Sequence, residues 1–262
     1  MNTIHSVFNR INYKVRRVIK LMRDKPYWNK LKDKHKNLPG FVIGNGPSLK
    51  MDDLTKISDC GFISIASNKI YLAFEYTKWR PDYYSVTDPL LWEKIKKSIH
   101  PDIKIIHTTE FIDRSGCNTN IITWRQRKND FSMSLKNFSN DLSVGASFGE
   151  TVTYTNIQMA VHLGLNPIYI IGCDHYYAGE KNITKAVPIP QSKENNHFVP
   201  NYRSEGEIVY AAPIKMMTKA YEIAKYYCDS NNIRIFNATR GGHLDVFERK
   251  SLDVILGEHR YT

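Results

Sequence analysis

With 262 residues, of which 42% are hydrophobic and 12% aromatic, the chain has the composition of an ordinary globular protein that buries a large core. The net charge of +11 is not spread over the chain, because residues 1–40 hold eleven Lys and Arg against two Asp and so carry +9 of it. The nearly neutral remainder excludes a fold that is basic throughout.

The first predicted element is a basic amphipathic helix within residues 1–38. Its apolar residues recur at helical spacings of three and four, with Lys and Arg on the other faces: Ile4, Val7, Phe8, Ile11, Val15, Val18, Ile19 and Met22. Two interpretations stay open, an anionic membrane surface as partner or packing against the protein's own domain or another subunit. RNA is less favoured, because the aromatic residues form no obvious stacking platform, and we expect no nucleic-acid partner. The sequence is also compatible with a homo-oligomer.

From residue 41 onward, short apolar runs alternate with helical patterns, which predicts one domain over residues 39–262. The predicted strands are 41–44, 62–66, 82–87, 103–107, 168–172 and 233–237. The predicted helices are 48–57, 68–78, 89–98, 149–163, 211–230 and 244–256. This alternation is typical of an α/β fold in which helices cover both faces of a mostly parallel, doubly wound, Rossmann-like sheet.

Neither a membrane span nor a metal site is predicted. No apolar run approaches the ~20 residues that cross a bilayer, and the N-terminus lacks the apolar core of a signal peptide. The four cysteines stand far apart, without a CxxC pair or a His at metal-ligand spacing. We therefore predict a cytoplasmic protein with reduced thiols.

The turn Gly44-Asn45-Gly46-Pro47-Ser48 follows the first predicted strand, at the sheet edge where such folds bind ligands. Its glycines allow close backbone approach, and Pro47 and Ser48 are predicted to begin a helix whose free N–H groups face an anion. A phosphate is the natural occupant. The turn is neither a Walker A loop nor a GxGxxG fingerprint, and a purely structural role stays open.

Further polar residues follow other predicted strands and should meet the turn at this edge. Asn68 follows ISIAS, Asp88 follows YYSVT, and Asp174, His175 and Tyr176 follow IYIIGC. Structural alternatives stay open, since Asn68 and Asp88 also suit helix caps and Asp174 also suits a loop brace.

Three stretches together carry a resemblance to known families: the turn 44–49, the strand end Ser67-Asn68 and LGLNPIYIIGCDHYY at 163–177. They resemble the bacterial sialyltransferases of glycosyltransferase family 42, and more closely the superfamily of the Maf flagellin glycosyltransferases and archaeal 6-hydroxymethylpterin diphosphokinases. The ending NATRGGHLDVFER, 237–249, is similar to the latter group. The resemblance covers roughly residues 40–250 and implies a variant of the GT-A-like fold.

The resemblance to the sialyltransferases also implies residue roles. It places contacts with a nucleotide sugar on Asn45 and Asn68, and donor-contacting hydroxyls on Thr151 and Thr153. Tyr176 becomes the candidate donor to the leaving phosphate. Two departures are visible: Gly149 stands where that family has Arg, and alignment of HFVPNY, 197–202, puts Asn201 where that family has its catalytic His.

A segment rich in Pro, Asn, Lys and Glu, 178–210, is long enough to form a lid over the strand edge. His197 lies in it and is our candidate general base, with His175 as its rival. Arg203 and Lys185 are candidate phosphate contacts or solvated residues. His243 is expected to be structural.

The resemblance implies a metal-independent, inverting glycosyltransferase that needs no cofactor. The resemblance suggests a CMP-activated acidic sugar as donor and a surface glycan or lipid-linked acceptor, at the inner membrane face. One alternative is a pyrophosphokinase of the 6-hydroxymethylpterin type that uses ATP with Mg²⁺, and it ranks lower because no acidic cluster is visible. Another is an inert protein that binds nucleotide or glycan at the membrane.

Overall fold

The computed structural model describes residues 2–177, 183–191, 196–200 and 202–259. Its strands are β1 (Gly40–Ile43), β2 (Ile63–Ser67), β3 (Tyr83–Ser85), β4 (Ile105–Thr109), β5 (Asn120–Trp124), β6 (Gln126–Arg127), β7 (Ala146–Ser147), β8 (Ile168–Ile171), β9 (Pro188–Pro190), β10 (Ile208–Tyr210), β11 (Ile235–Asn237) and β12 (Glu248–Arg249). Its α-helices are α1 (Asn2–Leu31), α2 (Met51–Asp59), α3 (Pro89–Ile95), α4 (Val152–His162), α5 (Ile214–Ser230) and α6 (Leu252–His259). Short 3-10 helices cover Asn68–Glu75 and Leu135–Asn137.

The described chain forms a Rossmann-like fold around one eight-stranded sheet. The strand order is β12-β11-β8-β1-β2-β3-β4-β5, and every neighbouring pair is parallel. The six predicted strands are all present, which confirms the α/β prediction. Two more strands, β5 and β12, extend the sheet at its edges, and the helix predicted over 244–256 is wrong in its first half because β12 lies there.

Both faces of the sheet are buried, which explains the uninterrupted apolar runs of its central strands. In β1, Val42 packs in the cluster that contains residues of α4 and α5. Phe41 and Ile43 point the other way, into the cluster that contains residues of α2, α3 and α6. The sheet therefore has the two helical layers that a doubly wound fold requires.

The C-terminal part of α1 belongs to the core of the domain. The Trp28 side chain is 1% exposed, and its Nε1 donates to the Thr123 carbonyl oxygen of β5 at 2.8 Å. Asp24 is also buried and accepts hydrogen bonds from the Thr123 N–H (2.8 Å) and from Arg114 Nη2 (2.6 Å). Packing against the protein's own domain is therefore the correct interpretation for residues 24–31, which are not a separate attachment. In the described part of the chain, no helix has the length and apolarity to span a membrane.

Replacement of Asp24 by Ala should lower the free energy of unfolding by about 3–5 kcal/mol, because it leaves the largely buried guanidinium of Arg114 without its carboxylate. The matched control is Asp52→Ala, which breaks an exposed ion pair with Lys56 and should cost at most about 1 kcal/mol. Urea denaturation of both variants measures the difference. Equal, small losses would contradict the role of α1 in the core.

Candidate functional site

A cavity of about 900 Å³ lies at the carboxyl ends of β8, β1, β2 and β3, which are neighbours in the sheet. This is the edge at which folds of this class bind ligands. Its lining includes twelve predicted site residues, namely Gly44, Asn45, Gly46, Asn68, Asp88, Thr151, Thr153, Asp174, His175, Tyr176, His197 and Arg203. Lys185 also lines it, whereas Pro47 and Ser48 do not.

The turn after β1 is held against the end of β8. The Gly44 N–H donates to the Ile171 carbonyl oxygen and the Gly46 N–H to the Gly172 carbonyl oxygen, both at 2.8 Å. A Cβ atom on Gly44 would lie 2.3 Å from the Gly172 oxygen. The glycines therefore allow two backbone segments to approach each other, and these two N–H groups do not face a ligand.

The N–H groups after the turn also have partners. The Ser48 hydroxyl donates to Asp174 Oδ2 at 2.9 Å, and the Ser48 N–H points to the same oxygen at 3.4 Å. The helix α2 starts at Met51 instead of the predicted residue 48, and the Lys50 N–H donates to Asp53 Oδ2 at 3.0 Å. The predicted anion site at Ser48 is wrong, because the carboxylate of Asp174 already lies there. The brace predicted as the alternative for Asp174 is the correct interpretation.

We expect a side chain at Gly46 to lower the free energy of unfolding, whatever it does to ligand binding. A Cβ atom there would lie 1.9 Å from Asp174 Oδ2 and 2.8 Å from the Gly172 carbonyl oxygen. We expect Gly46→Ala to cost about 1–3 kcal/mol in the free energy of unfolding. The control Gly257→Ala meets nothing within 4 Å and should be neutral or stabilising. Urea titration measures the stability of both variants. A Gly46→Ala protein as stable as the unchanged chain would contradict the close packing of Gly46 against Asp174 and Gly172.

Two residues of the cavity lining carry buried amide oxygens that have no hydrogen-bond partner among the described residues. Asn45 donates its Nδ2 to the Ser67 carbonyl oxygen at 3.1 Å, which leaves its Oδ1 unpaired. Asn68 begins the 3-10 helix after β2 at φ +58°, and its buried Oδ1 is also unpaired. An unpaired buried acceptor costs free energy unless a ligand supplies a donor. Hydroxyl and amino groups are such donors.

The acidic residues at this edge have structural partners. Asp88 Oδ1 accepts from the N–H groups of Leu90 (2.8 Å) and Leu91 (3.1 Å), so it caps α3, as its structural alternative predicted. Burial raises the pKa of Asp174, and the hydrogen bonds from Ser48 only partly oppose this rise. The described residues contain no group of three His, Cys, Asp or Glu that could hold a metal ion.

The described part of the predicted lid contacts Asn45 and Lys69; residues 178–182, 192–195 and 201 of it lie outside the described residues. The Phe198 N–H donates to the Asn45 carbonyl oxygen at 3.0 Å. Lys69, next to Asn68, donates its Nζ to the Tyr202 carbonyl oxygen at 2.6 Å and its N–H to the Tyr202 hydroxyl at 3.0 Å.

His197 belongs to this segment and has a neutral ring. It stacks on Tyr202, with ring centroids 3.8 Å apart and planes within 4°. Burial, with the positive charges of Arg203 and Lys69, lowers the pKa of His197 to about 3. Arg203 lines the cavity, and its buried Nε has no hydrogen-bond partner among the described residues. A guanidinium in a cavity wall suits an anionic ligand.

His175 lines the same cavity on the β8 side. Its backbone has φ +54°, and its Nε2 forms a 2.8 Å hydrogen bond with Thr218 Oγ1. Burial, together with the charge of His243, lowers the pKa of His175 to about 4. Tyr176 is 57% exposed and its ring centroid lies 5.5 Å from that of His243, which is outside the cavity lining. Both candidate bases and the candidate phosphate donor therefore meet at one cavity.

The start of α4 forms another wall. Thr151 caps the helix through its hydroxyl, which accepts from the Thr153 N–H at 3.3 Å, and Thr153 Oγ1 lies 3.8 Å from Cys173 Sγ. A Cβ atom on Gly149 would lie 2.2 Å from the Tyr154 ring, so this chain has no room for an Arg there.

The sequence analysis missed Glu150 and the aromatic wall of the cavity. Glu150 has φ +59°, and burial raises its pKa. Phe111, Trp124, Phe131 and Phe148 line the cavity from loops and edge strands. None of these positions carries a motif, so only their place in the folded chain identifies them.

A family model described as 6-hydroxymethylpterin diphosphokinase MptE-like matches residues 16–180. Among solved structures, the chain resembles the Maf glycosyltransferase from Magnetospirillum magneticum AMB-1, at 16% identity and a TM-score of 0.52 over 88% of this chain. This chain spans 38% of the length of that protein, and the likeness shows the fold alone. The comparison with curated proteins gave no match.

Proposed function

The chain belongs to the 6-hydroxymethylpterin diphosphokinase MptE-like family, and on that premise we propose that it is a glycosyltransferase using a nucleotide-activated sugar. The observation that carries the proposal is the pair of unpaired, buried amide oxygens of Asn45 and Asn68, two residues that line a cavity of about 900 Å³ together with Arg203. The predicted resemblance to the Maf and MptE-like superfamily is confirmed. The finer resemblance to family 42 sialyltransferases stays a prediction.

In this proposal, each group of the cavity has a role in one transfer step. The amide oxygens accept hydrogen bonds from hydroxyl or amino groups of the nucleotide, and Arg203 neutralises the diester phosphate or an acidic sugar. The bond from the anomeric carbon to the phosphate oxygen breaks, and its electron pair stays on the phosphate, which Tyr176 stabilises. The acceptor oxygen bonds to the anomeric carbon, and its proton passes to His197 or His175.

The donor proposed is a CMP-activated acidic sugar, and the acceptor a surface glycan or a lipid-linked glycan. The donor follows from the family 42 resemblance at Asn45, Asn68 and Tyr176, and an acidic sugar also suits the guanidinium of Arg203. In this mechanism the positive charge at the phosphate comes from the chain's own side chains, so the transfer is proposed to be metal-independent. The acceptor oxygen displaces the phosphate in one step, so the transfer is also proposed to invert the anomeric carbon.

A thermal-shift comparison of CMP, CDP, UDP, GDP and ATP, each with and without Mg²⁺, tests the proposal. A nucleotide present at one hundred times its Kd adds about 2.7 kcal/mol of stability. For a domain of this size that is a rise in Tm of about 5–10 °C. Stabilisation by CMP without metal supports the proposed function, and no stabilisation by any nucleotide overturns it.

A matched pair of variants links the binding to the site. Asn68→Gly removes the amide oxygen and keeps the positive φ, so it should abolish most of the CMP-induced shift. Asn232→Gly makes the same change at an exposed residue with φ +56° and should leave the shift intact.

Pyrophosphate transfer is the second candidate function, because the matching family model is named for a diphosphokinase. In that case ATP with Mg²⁺ should stabilise the protein and CMP should not. A protein that binds nucleotide and shows neither transfer nor hydrolysis would instead be the inert binding protein.

A further inference from the structure

The exposed face of α1 carries an apolar stripe in the middle of the helix. Val15, Val18, Ile19 and Met22 are 50%, 54%, 59% and 71% exposed, respectively. Their spacing of three, four and seven residues puts them on one face of the helix. A contiguous, exposed patch of large apolar side chains marks a surface that contacts a membrane, a ligand or another protein.

Basic residues border this stripe on both sides. By helical spacing, Lys14 and Lys25 lie next to Val18 and Met22 along one side, and Arg16 and Arg23 lie next to Ile19 along the other. Arg23 also pairs with the Asp24 carboxylate at 2.7 Å, so the net positive charge of these rows comes from Lys14, Arg16 and Lys25. Residues 14–23 contain no acidic side chain. An apolar stripe between basic rows is complementary to acyl chains beneath anionic headgroups.

The opposite face of α1 contacts the rim of the cavity. The Arg17 guanidinium lies 4.1 Å above the centroid of the Phe111 ring, and Lys20 Nζ donates to the Ile112 carbonyl oxygen at 3.4 Å. Phe111 and Ile112 both line the cavity. The stripe and the cavity rim are therefore separated by about one helix diameter, 10–12 Å.

We propose that α1 docks this protein on an anionic lipid surface through Val15, Val18, Ile19 and Met22, with the cavity rim held beside that surface. The inference rests on the proposed function in one respect, since it makes the acceptor a lipid-linked one. A second copy of the chain fits the stripe poorly, because a symmetric contact would bring the basic rows of both copies together without acidic partners. The apolar stripe then inserts at the headgroup boundary and the basic rows contact the anionic headgroups.

Flotation of the full chain with vesicles tests the docking directly. We expect binding to phosphatidylcholine vesicles that contain 30% phosphatidylglycerol, little binding to pure phosphatidylcholine, and loss of binding at high salt. Each basic residue near such a surface strengthens binding about fivefold. Neutralising Lys14, Arg16 and Lys25 together with Gln should therefore weaken binding about 100-fold. Neutralising the exposed Lys78, Lys215 and Lys219 is the matched control and should change it far less.

The apolar contribution has its own pair of variants. Ile19→Gln with Met22→Gln should weaken binding about tenfold or more, whereas Val254→Gln with Met133→Gln removes exposed apolar side chains elsewhere and should not. A Met22→Trp protein should show fluorescence quenched by brominated lipids, because the native tryptophans Trp28, Trp79, Trp92 and Trp124 are at most 2% exposed.

Either of two vesicle results would overturn the docking: equal binding to neutral and anionic vesicles, or unchanged binding in both sets of α1 variants. A third contrary result would be a dimer, detected by light scattering, that becomes a monomer in the Ile19→Gln and Met22→Gln variant. The nucleotide shift is measured without vesicles, so its failure is distinguishable from the failure of docking. CMP binding without vesicle binding would leave the proposed function intact and remove this inference.

Discussion

Replacement of His197 by Ala is expected to lower kcat about 10²–10⁴-fold, with the donor Kd changed little. The reason is that a base acts on the acceptor proton in the transition state and contributes little to donor binding. His197 is neutral at pH 7, since its pKa is lowered to about 3, so its ring can accept a proton, although the low pKa also makes it a weak base. Steady-state transfer rates together with calorimetric donor titration measure both quantities.

His197→Phe separates chemistry from packing. A phenyl ring keeps the stack on Tyr202 but accepts no proton, so this variant should be as slow as His197→Ala. If His197→Phe is active and His197→Ala is not, the ring only holds the lid closed.

His175→Ala tests the rival base, whose pKa is about 4. An inactive His175→Ala beside a normal His197→Ala would move the base to the β8 side of the cavity. Tyr176→Phe should slow transfer by a factor that corresponds to about 1.5–3 kcal/mol, the contribution of a hydrogen bond to a charged phosphate. If neither histidine matters, Asp88 and Asp174 are the next residues to test.

The central sheet was predictable because its strands are buried on both faces. The runs that became β1 and β8 are apolar throughout and end at turn residues, which is the pattern of a parallel strand. The edge strands β5 and β12 were missed, because NIITW and ER carry neither a long apolar run nor alternation. Their pairing depends on neighbours far away in the sequence.

The position of the candidate site was predictable from the sequence, but only some of its side-chain contacts were. Strand ends in a parallel sheet meet at one edge, which is why twelve predicted residues line one cavity. The partners of Ser48 and Asp24 were not predictable. They are Asp174, 126 residues away, and Arg114, 90 residues away, and no local pattern reports such contacts.

The free energy of unfolding should fall as the pH is lowered from 6.5, because buried histidines are neutral in the folded chain. Burial lowers the pKa of His107 to about 4, and the pKa values of His175 and His197 to about 4 and 3. In the unfolded chain the same rings titrate near 6.5. Between pH 6.5 and about 4 the unfolded state therefore binds more protons, and stability that is complete above pH 6.5 is lost on acidification.

His107 is the most direct test of this slope, because it is fully buried between the Tyr27 hydroxyl and the Tyr84 carbonyl oxygen. Each proton that only the unfolded chain binds contributes a slope of about 1.4 kcal/mol per pH unit. We expect His107→Gln to reduce the slope between pH 6 and 5 by about that amount, whatever it does to stability at pH 7. The exposed His243 is the control, and His243→Gln should change the slope far less, only through its effect on the pKa of His175. Urea titrations at several pH values measure it, and an unaltered slope in His107→Gln would mean that this ring binds protons equally in the folded and the unfolded chain.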